Sequence, residues 1–340
     1  MNMKRDFREK RASSFRKGSS AISKLQERER SFMKHFIDPG RKRNSVNFVD
    51  HIVYSRVKDL DGKDLELDLS IMAQSGNIEM QTAGGVMPEA HEIEYHPAIV
   101  WVSGGGFRGV DKNQMIAETQ FLADAGYTVV SVYYRSSSQG KFPAQIVDVK
   151  TAIRFLRAHA DLYHIDVNRI GIMGRSAGGY LAAFIAMNDG EYESEEWSGF
   201  SSKVQAAYDM FGPVDMVKLM EADQLAMAKD PNHRWKTVED THAGAFMGGD
   251  PATMKERAKE ASVNLRITKE MSPILIAHGD SDPLVPSYIS QEFYDAIKAE
   301  GMEDRAELYL LKNGEHGSPE FFQEEMREIA LEFFHKNLGN

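Results

Sequence analysis

The stretch RIGIMGRSAGGYLAA (Arg169–Ala183) joins an apolar run to a string of small and helix-forming residues through a turn that holds one serine between glycines. Ile170–Met173 reads as a strand covered on both faces, and the residues after Ser176 read as the start of a helix. A serine on a sharp strand-to-helix turn is held in a strained conformation with its hydroxyl exposed, and small neighbours keep the backbone clear of it. Gly174, Gly178 and Gly179 supply that clearance. The helix that follows would aim its amino-terminal N–H groups at a developing oxyanion. G-x-S-x-G alone is short enough to arise by chance, so the flanking sequence has to carry the reading.

On both sides of this turn, runs of the same kind recur. Ala98–Ser103, Tyr127–Tyr134, Val204–Gly212, Pro273–Gly279 and Ala306–Leu311 are mostly continuous apolar segments, the pattern of strands covered on both faces. Helical periodicity lies between them. Pro143–Tyr163 repeats Ile146, Val149, Ile153, Leu156 and Ala160 at three- and four-residue steps, with Pro143 at a favourable first position. Residues 115–126, 287–301 and 319–338 occupy the matching places elsewhere. Two earlier segments, FVDHIVYSRV and DLELDLSIMA, alternate only in part around DLDGKD and read as an antiparallel hairpin at a sheet edge. The fold expected is α/β: a mostly parallel, doubly wound sheet with flanking helices, whose ligands sit beyond the carboxyl ends of the strands.

Three further stretches lie just after strands. WVSGGGFRG (Trp101–Gly109) does not fit a phosphate loop, because no G-K-[ST] follows and G-x-G-x-x-G is not met. Its consecutive glycines instead let backbone N–H groups approach a substrate oxygen, so Gly105 and Gly106, with the N–H of Ala177, are candidates for an oxyanion hole. HGDSDPLVP places Asp282 in the loop before a helix beginning near Pro286, with Asp280 as a nearby competitor. KNGEHGSPE places His316 in a glycine-flanked loop before the terminal helix. The order Ser, then Asp, then His is the one this arrangement requires.

The segments SGGGF, YYRSS, FPAQIVDVKTAIRFLRAHA, DVNRIGIMGRSAGG, FGPVD, HGDSDPLVP and GEHG together resemble α/β-hydrolase esterases related to bacterial feruloyl esterases, with kinship to the hormone-sensitive-lipase-like carboxylesterases. The similarity runs from about Phe48 to the carboxyl end. It implies an α/β-hydrolase fold with Ser176 as nucleophile, Asp282 as acid and His316 as base, and Gly105, Gly106 and Ala177 forming the oxyanion hole. It also implies a cofactor-free serine esterase, acting on hydroxycinnamate or related phenolic esters. Short-chain aliphatic esters, amides and peptides remain the alternatives. Two positions depart from the lipase-like pattern. Ser103 replaces a histidine before the glycines, and Arg175 precedes the nucleophile, where it would favour an anionic substrate part or pair with a nearby acid.

Charge is unevenly placed. Residues 1–45 hold 14 Lys/Arg against 5 Asp/Glu, while the rest holds 27 against 46, giving nets of +9 and −19. The basic arm 1–45 is expected to be partly helical, its Ile22, Leu25, Phe32, Met33, Phe36 and Ile37 suiting docking onto the domain or formation of a homo-oligomer. Residues 46–340 form the expected catalytic domain, within which 216–271 exceeds a simple connection and is a candidate lid or insertion. With no cysteine there is no disulfide or thiolate site, and His233 and His242 lack convincing partners for a metal. No run approaches a membrane span and no apolar region follows the basic start, which favours a cytoplasmic enzyme with a small-molecule ester as its partner. Nothing in the chain reads as a nucleic-acid reader.

Overall fold

The computed structural model describes residues 45–75, 94–230, 232–248 and 253–339. The basic arm therefore lies outside the described residues, apart from Ser45.

Eight strands form one sheet in the order β1-β2-β4-β3-β5-β6-β7-β8. Their ranges are β1 Val46–Lys58, β2 Asp64–Gln74, β3 His96–Val102, β4 Thr128–Val132, β5 Ile165–Arg175, β6 Ala206–Met210, β7 Ile274–Gly279 and β8 Ala306–Leu311. β1 pairs with β2, and β2 with β4, in antiparallel fashion, whereas every pair from β4 through β3 to β8 is parallel. The antiparallel hairpin thus sits at one edge, and β1 is only half-buried there.

The apolar runs of the central strands are explained by helices on both faces. Successive residues of β3 point to opposite sides: Val100 and Val102 enter one core, Ile99 and Trp101 the other. The first core is closed by α2 (Ala144–Ala158), α4 (Ala177–Ala186) and α8 (Tyr288–Ala299), through side chains such as Ile153, Phe184 and Phe293. The second is closed by α1 (Gln120–Asp124) and α9 (Glu324–Leu338), through Leu122, Phe333 and Phe334. All of these strand and helix side chains are at most 4% exposed, so each contributes close to its full transfer free energy.

Some boundaries differ from the sequence expectation. The helix expected over 143–163 ends at Ala158, and a separate turn, α3 (Ala160–Tyr163), follows. His159 leaves the helical region at φ −117 and ψ 25, with its ring Nδ1 2.9 Å from the Phe155 carbonyl oxygen. The terminal helix begins at Glu324, because Gln323 is extended and the preceding Pro319–Phe322 forms a 3-10 turn.

Between β6 and β7 the chain builds α5 (Met216–Lys229), α6 (His242–Met247) and α7 (Met254–Glu260). Asp215 caps α5 by accepting from the Lys218 N–H, and Thr241 caps α6 by accepting from the Gly244 N–H. Met216, Met220, Met247 and Met254 all pack into the first core. This segment docks through Phe246, which stacks on Phe107 at 4.0 Å between ring centroids and 19° between planes.

Candidate active site

Ser176 follows β5 and caps α4 with φ 53 and ψ −120, a region that L-residues seldom occupy. The surroundings hold it there. A Cβ at Gly178 would overlap the Val102 carbonyl, one at Gly174 would overlap the Gly178 carbonyl, and one at Gly179 would run into the Asp209 carboxylate. The turn can therefore be made only with hydrogen atoms at these three positions. The Ser176 N–H donates to the Met210 carbonyl at 2.8 Å, tying the turn to the end of β6.

His316 reaches this serine from the loop after β8. Its Nε2 lies 2.9 Å from Ser176 Oγ, and its Nδ1 lies 2.6 Å from Asp282 Oδ2. The Asp282 side chain has no solvent exposure, and its Oδ1 accepts from the N–H groups of Leu284 and Val285 at 2.8 and 2.9 Å. Burial pushes this carboxyl up, but the hydrogen bonds from His278, His316 and Val285 outweigh it and hold Asp282 below the usual carboxylate range. With Asp282 an acceptor, Nδ1 of His316 carries the proton and Nε2 is free to accept one from the serine. Asp280, the competitor in the sequence, is exposed and accepts instead from the Asn313 N–H at 2.7 Å.

Sequence reading did not single out His278. It is fully buried at the end of β7, with Nε2 2.9 Å from the Val285 carbonyl oxygen and 3.3 Å from Asp282 Oδ2. Nε2–H donates to that carbonyl, so Nδ1 accepts from Ser290 Oγ at 2.7 Å. The available signal was a lone polar residue in an otherwise apolar strand run.

Gly105, Gly106 and Ala177 line one cavity with Ser176 and His316. Among the described residues, none of their three N–H groups donates to a protein acceptor. The glycine loop is held from behind. Tyr134 Oη donates to the Ser103 carbonyl at 2.9 Å, and the Ser137 N–H donates to the Phe107 carbonyl at 2.6 Å. Arg135 fixes that support through a paired contact with buried Asp148, which accounts for the YYRSS motif. A Cβ at Gly106, whose φ is +59, would strike the His242 ring.

The cavity has a volume of about 360 Å³. Its far wall comes from the segment between β6 and β7: Leu219, Asp223, His233, Arg234, Trp235 and His242. Burial, then Arg234 and Arg108, lower His242 to about 4, so it is neutral near pH 7. Burial raises Asp223 to about 6. Arg175 lines the same cavity, and among the described residues no carboxylate pairs with it. Among the described residues, the cavity side chains Asp223, His233, His242 and His316 do not form a group spaced to hold an ion. The one group of described side chains spaced to hold an ion, Asp50, His51 and Asp68, already surrounds the Lys112 ammonium at 2.9 and 2.7 Å from the two carboxylates.

Behind Ser176 lies a further buried acid. Asp209 Oδ1 accepts from the Gly212 N–H at 2.8 Å, Oδ2 has no partner, and burial raises the carboxyl to about 7. The folded protein therefore keeps a proton that the unfolded chain has lost above its ordinary value of 3.8. The contribution of Asp209 to stability therefore falls as pH rises from about 4 to about 7 and then levels off. Urea unfolding at pH 5 and pH 8 should show the wild type losing at least about 1 kcal/mol more than Asp209→Asn over that interval. Equal losses would show that Asp209 is not protonated in the fold.

A sheet of this order, with a strand-turn-helix serine and a histidine and aspartate on the loops after β8 and β7, defines an α/β-hydrolase. The chain belongs to the BD-FAE family, whose model matches residues 86–297. Esterase LipC of Mycobacterium tuberculosis is 30% identical over 209 residues, covering 60% of this chain and 48% of LipC. Isoprenylcysteine alpha-carbonyl methylesterase ICME of Arabidopsis thaliana is 27% identical over 244 residues, covering 70% and 54%. A truncated form of a carbohydrate esterase from gut microbiota superposes with a TM-score of 0.68 at 26% identity, covering 89% of this chain and all of that one. The chain spans about half the length of the curated relatives it matches.

Proposed function

We propose that this chain is a carboxylic ester hydrolase in which Ser176 is the nucleophile, His316 the base, Asp282 the orienting acid, and the amides of Gly105, Gly106 and Ala177 the oxyanion hole. The observation that carries the reading is the continuous relay from Ser176 Oγ through the His316 ring to a buried, ionised Asp282. His316 Nε2 takes the hydroxyl proton as Oγ bonds to the ester carbonyl carbon, and the carbonyl oxygen takes the negative charge among the loop amides. Collapse of that intermediate breaks the bond to the alcohol, which leaves with the proton from His316. Water then repeats the sequence on the acyl-enzyme, giving the carboxylic acid and free Ser176.

The preferred acyl group in this reading is a hydroxycinnamate or related phenolic acid. Trp235, Phe107, Leu219 and Val285 give the cavity the apolar and aromatic walls that a flat ring needs. The segment 216–271 is the proposed lid, since its residues form the wall facing the nucleophile. Hydrolysis of methyl ferulate, p-nitrophenyl acetate and p-nitrophenyl butyrate decides the acyl class. The expected result is a kcat/KM for methyl ferulate that, after allowance for its poorer leaving group, exceeds those of the aliphatic esters. Fast turnover of acetate or butyrate with none of ferulate would reassign the enzyme to short aliphatic esters.

A further inference from the structure

Every described arginine but two directs a guanidinium N–H to an oxygen acceptor. Arg56, Arg135, Arg154, Arg169, Arg266 and Arg327 pair with carboxylates. Arg108, Arg157, Arg257 and Arg305 donate to backbone carbonyls. The exceptions are Arg175 and Arg234, and both line the cavity of Ser176. Arg175 Nη1 lies 3.1 Å from the Met115 sulfur, its Cζ sits 5.8 Å from the Phe211 ring centroid, and its buried Nε has no partner. Arg234 stacks on Trp235 with Cζ 4.2 Å from the ring centroid, and its Nη2 lies 3.4 Å from His242 Nε2. Thioether, ring and imidazole contacts leave most of the ten N–H donors of two guanidinium forks without an oxygen.

We propose that Arg175 and Arg234 form a carboxylate subsite, so that the natural ester carries a carboxylate on its acyl or alcohol part. This rests on the esterase reading for its catalytic meaning, but not for binding. Guanidinium forks match planar carboxylates, and bonds of this kind strengthen where water is displaced. Charge balance favours a single negative charge. Among the described residues Asp223 is the only carboxylate lining the cavity, and it offsets one of the two cations once ionised above about 6. His233, His242 and His316 complete the titratable lining. One carboxylate then neutralises the remainder, whereas a dianionic phosphate would exceed it. Gly317 makes room for this arrangement, because a Cβ there would lie 2.8 Å from Arg175 Nη2.

Two matched pairs of esters test the proposal. On the acyl side they are 4-nitrophenyl hemiglutarate against 4-nitrophenyl valerate, and on the alcohol side 4-acetoxybenzoate against 4-acetoxybenzamide. In at least one pair the anionic member should lead in kcat/KM by about tenfold. That preference should fall by about tenfold or more in Arg175→Gln and in Arg234→Gln, and should partly survive in Arg175→Lys. Arg234 is exposed, so its variant keeps the test open if Arg175→Gln fails to fold. A preference for the neutral members, or one unchanged by both glutamine variants, would overturn the subsite. Titration calorimetry of Ser176→Ala with glutarate, 4-hydroxybenzoate and inorganic phosphate separates binding from chemistry. Neutral esters turned over with no carboxylate bound would remove the subsite and keep the esterase. Carboxylate bound through Arg175 with no ester cleaved would do the reverse, and stronger binding of phosphate would overturn the carboxylate assignment.

Discussion

Ser176→Ala should remain folded and lose ester hydrolysis by about four orders of magnitude or more. The methyl side chain of alanine fits the space of the serine, and the strained backbone at φ 53 is fixed by the glycines and strands around it rather than by the hydroxyl. What disappears is the oxygen proposed to attack. His316→Ala should cost about as much, and the double variant little more, because the two groups act as one unit across the 2.9 Å contact between them. Release of p-nitrophenol from wild type and variants, with thermal unfolding alongside, checks all three. A Ser176→Ala protein that retains more than about a tenth of the rate would place the nucleophile elsewhere.

The second large effect belongs to Asp282. Asp282→Asn preserves size but offers an amide where His316 Nδ1–H needs an acceptor, which favours the wrong tautomer of the base. The expected loss in kcat is about 10³- to 10⁴-fold. Asp280→Asn, two residues away, should change kcat by less than about threefold, since that side chain is exposed and its contact with the Asn313 N–H can still be accepted by an amide oxygen. A comparable loss in both variants would mean that the loop after β7, rather than one carboxylate, is what the rate depends on.

The sheet was legible because its central strands carry apolar residues for two cores at once, and Ile99, Val100, Trp101 and Val102 divide between those cores residue by residue. The serine turn, the glycine loop and the two later loops were legible because each follows such a strand. The choice between Asp280 and Asp282 was not local. It depends on the loop after β8, which brings His316 Nδ1 to 2.6 Å from Asp282 Oδ2 and gives Asp280 only the Asn313 N–H. The far wall of the cavity was equally hidden. The letters mark 216–271 as a candidate lid or insertion and leave His233 and His242 without metal partners, but periodicity cannot place a segment of short helices across from a strand end. The stacking of Phe246 on Phe107 does that, a contact between residues 139 positions apart. Arg175 stands out by its position beside Ser176, yet both an acid partner and an anionic ligand are consistent with the letters alone.

The docking of the segment between β6 and β7 has a consequence for how such a protein diversifies. Ser176, Asp282 and His316 lie just beyond strand ends that also hold the two cores together, so these positions tolerate little change. Leu219, Asp223, Arg234, Trp235 and His242 sit instead on the helices and loops between β6 and β7, which are held by Met216, Met220, Phe246, Met247 and Met254 in the first core. Substitutions at those five positions would therefore alter what the cavity admits while leaving Ser176, His316 and Asp282 in place, so long as the core-facing methionines and Phe246 are kept.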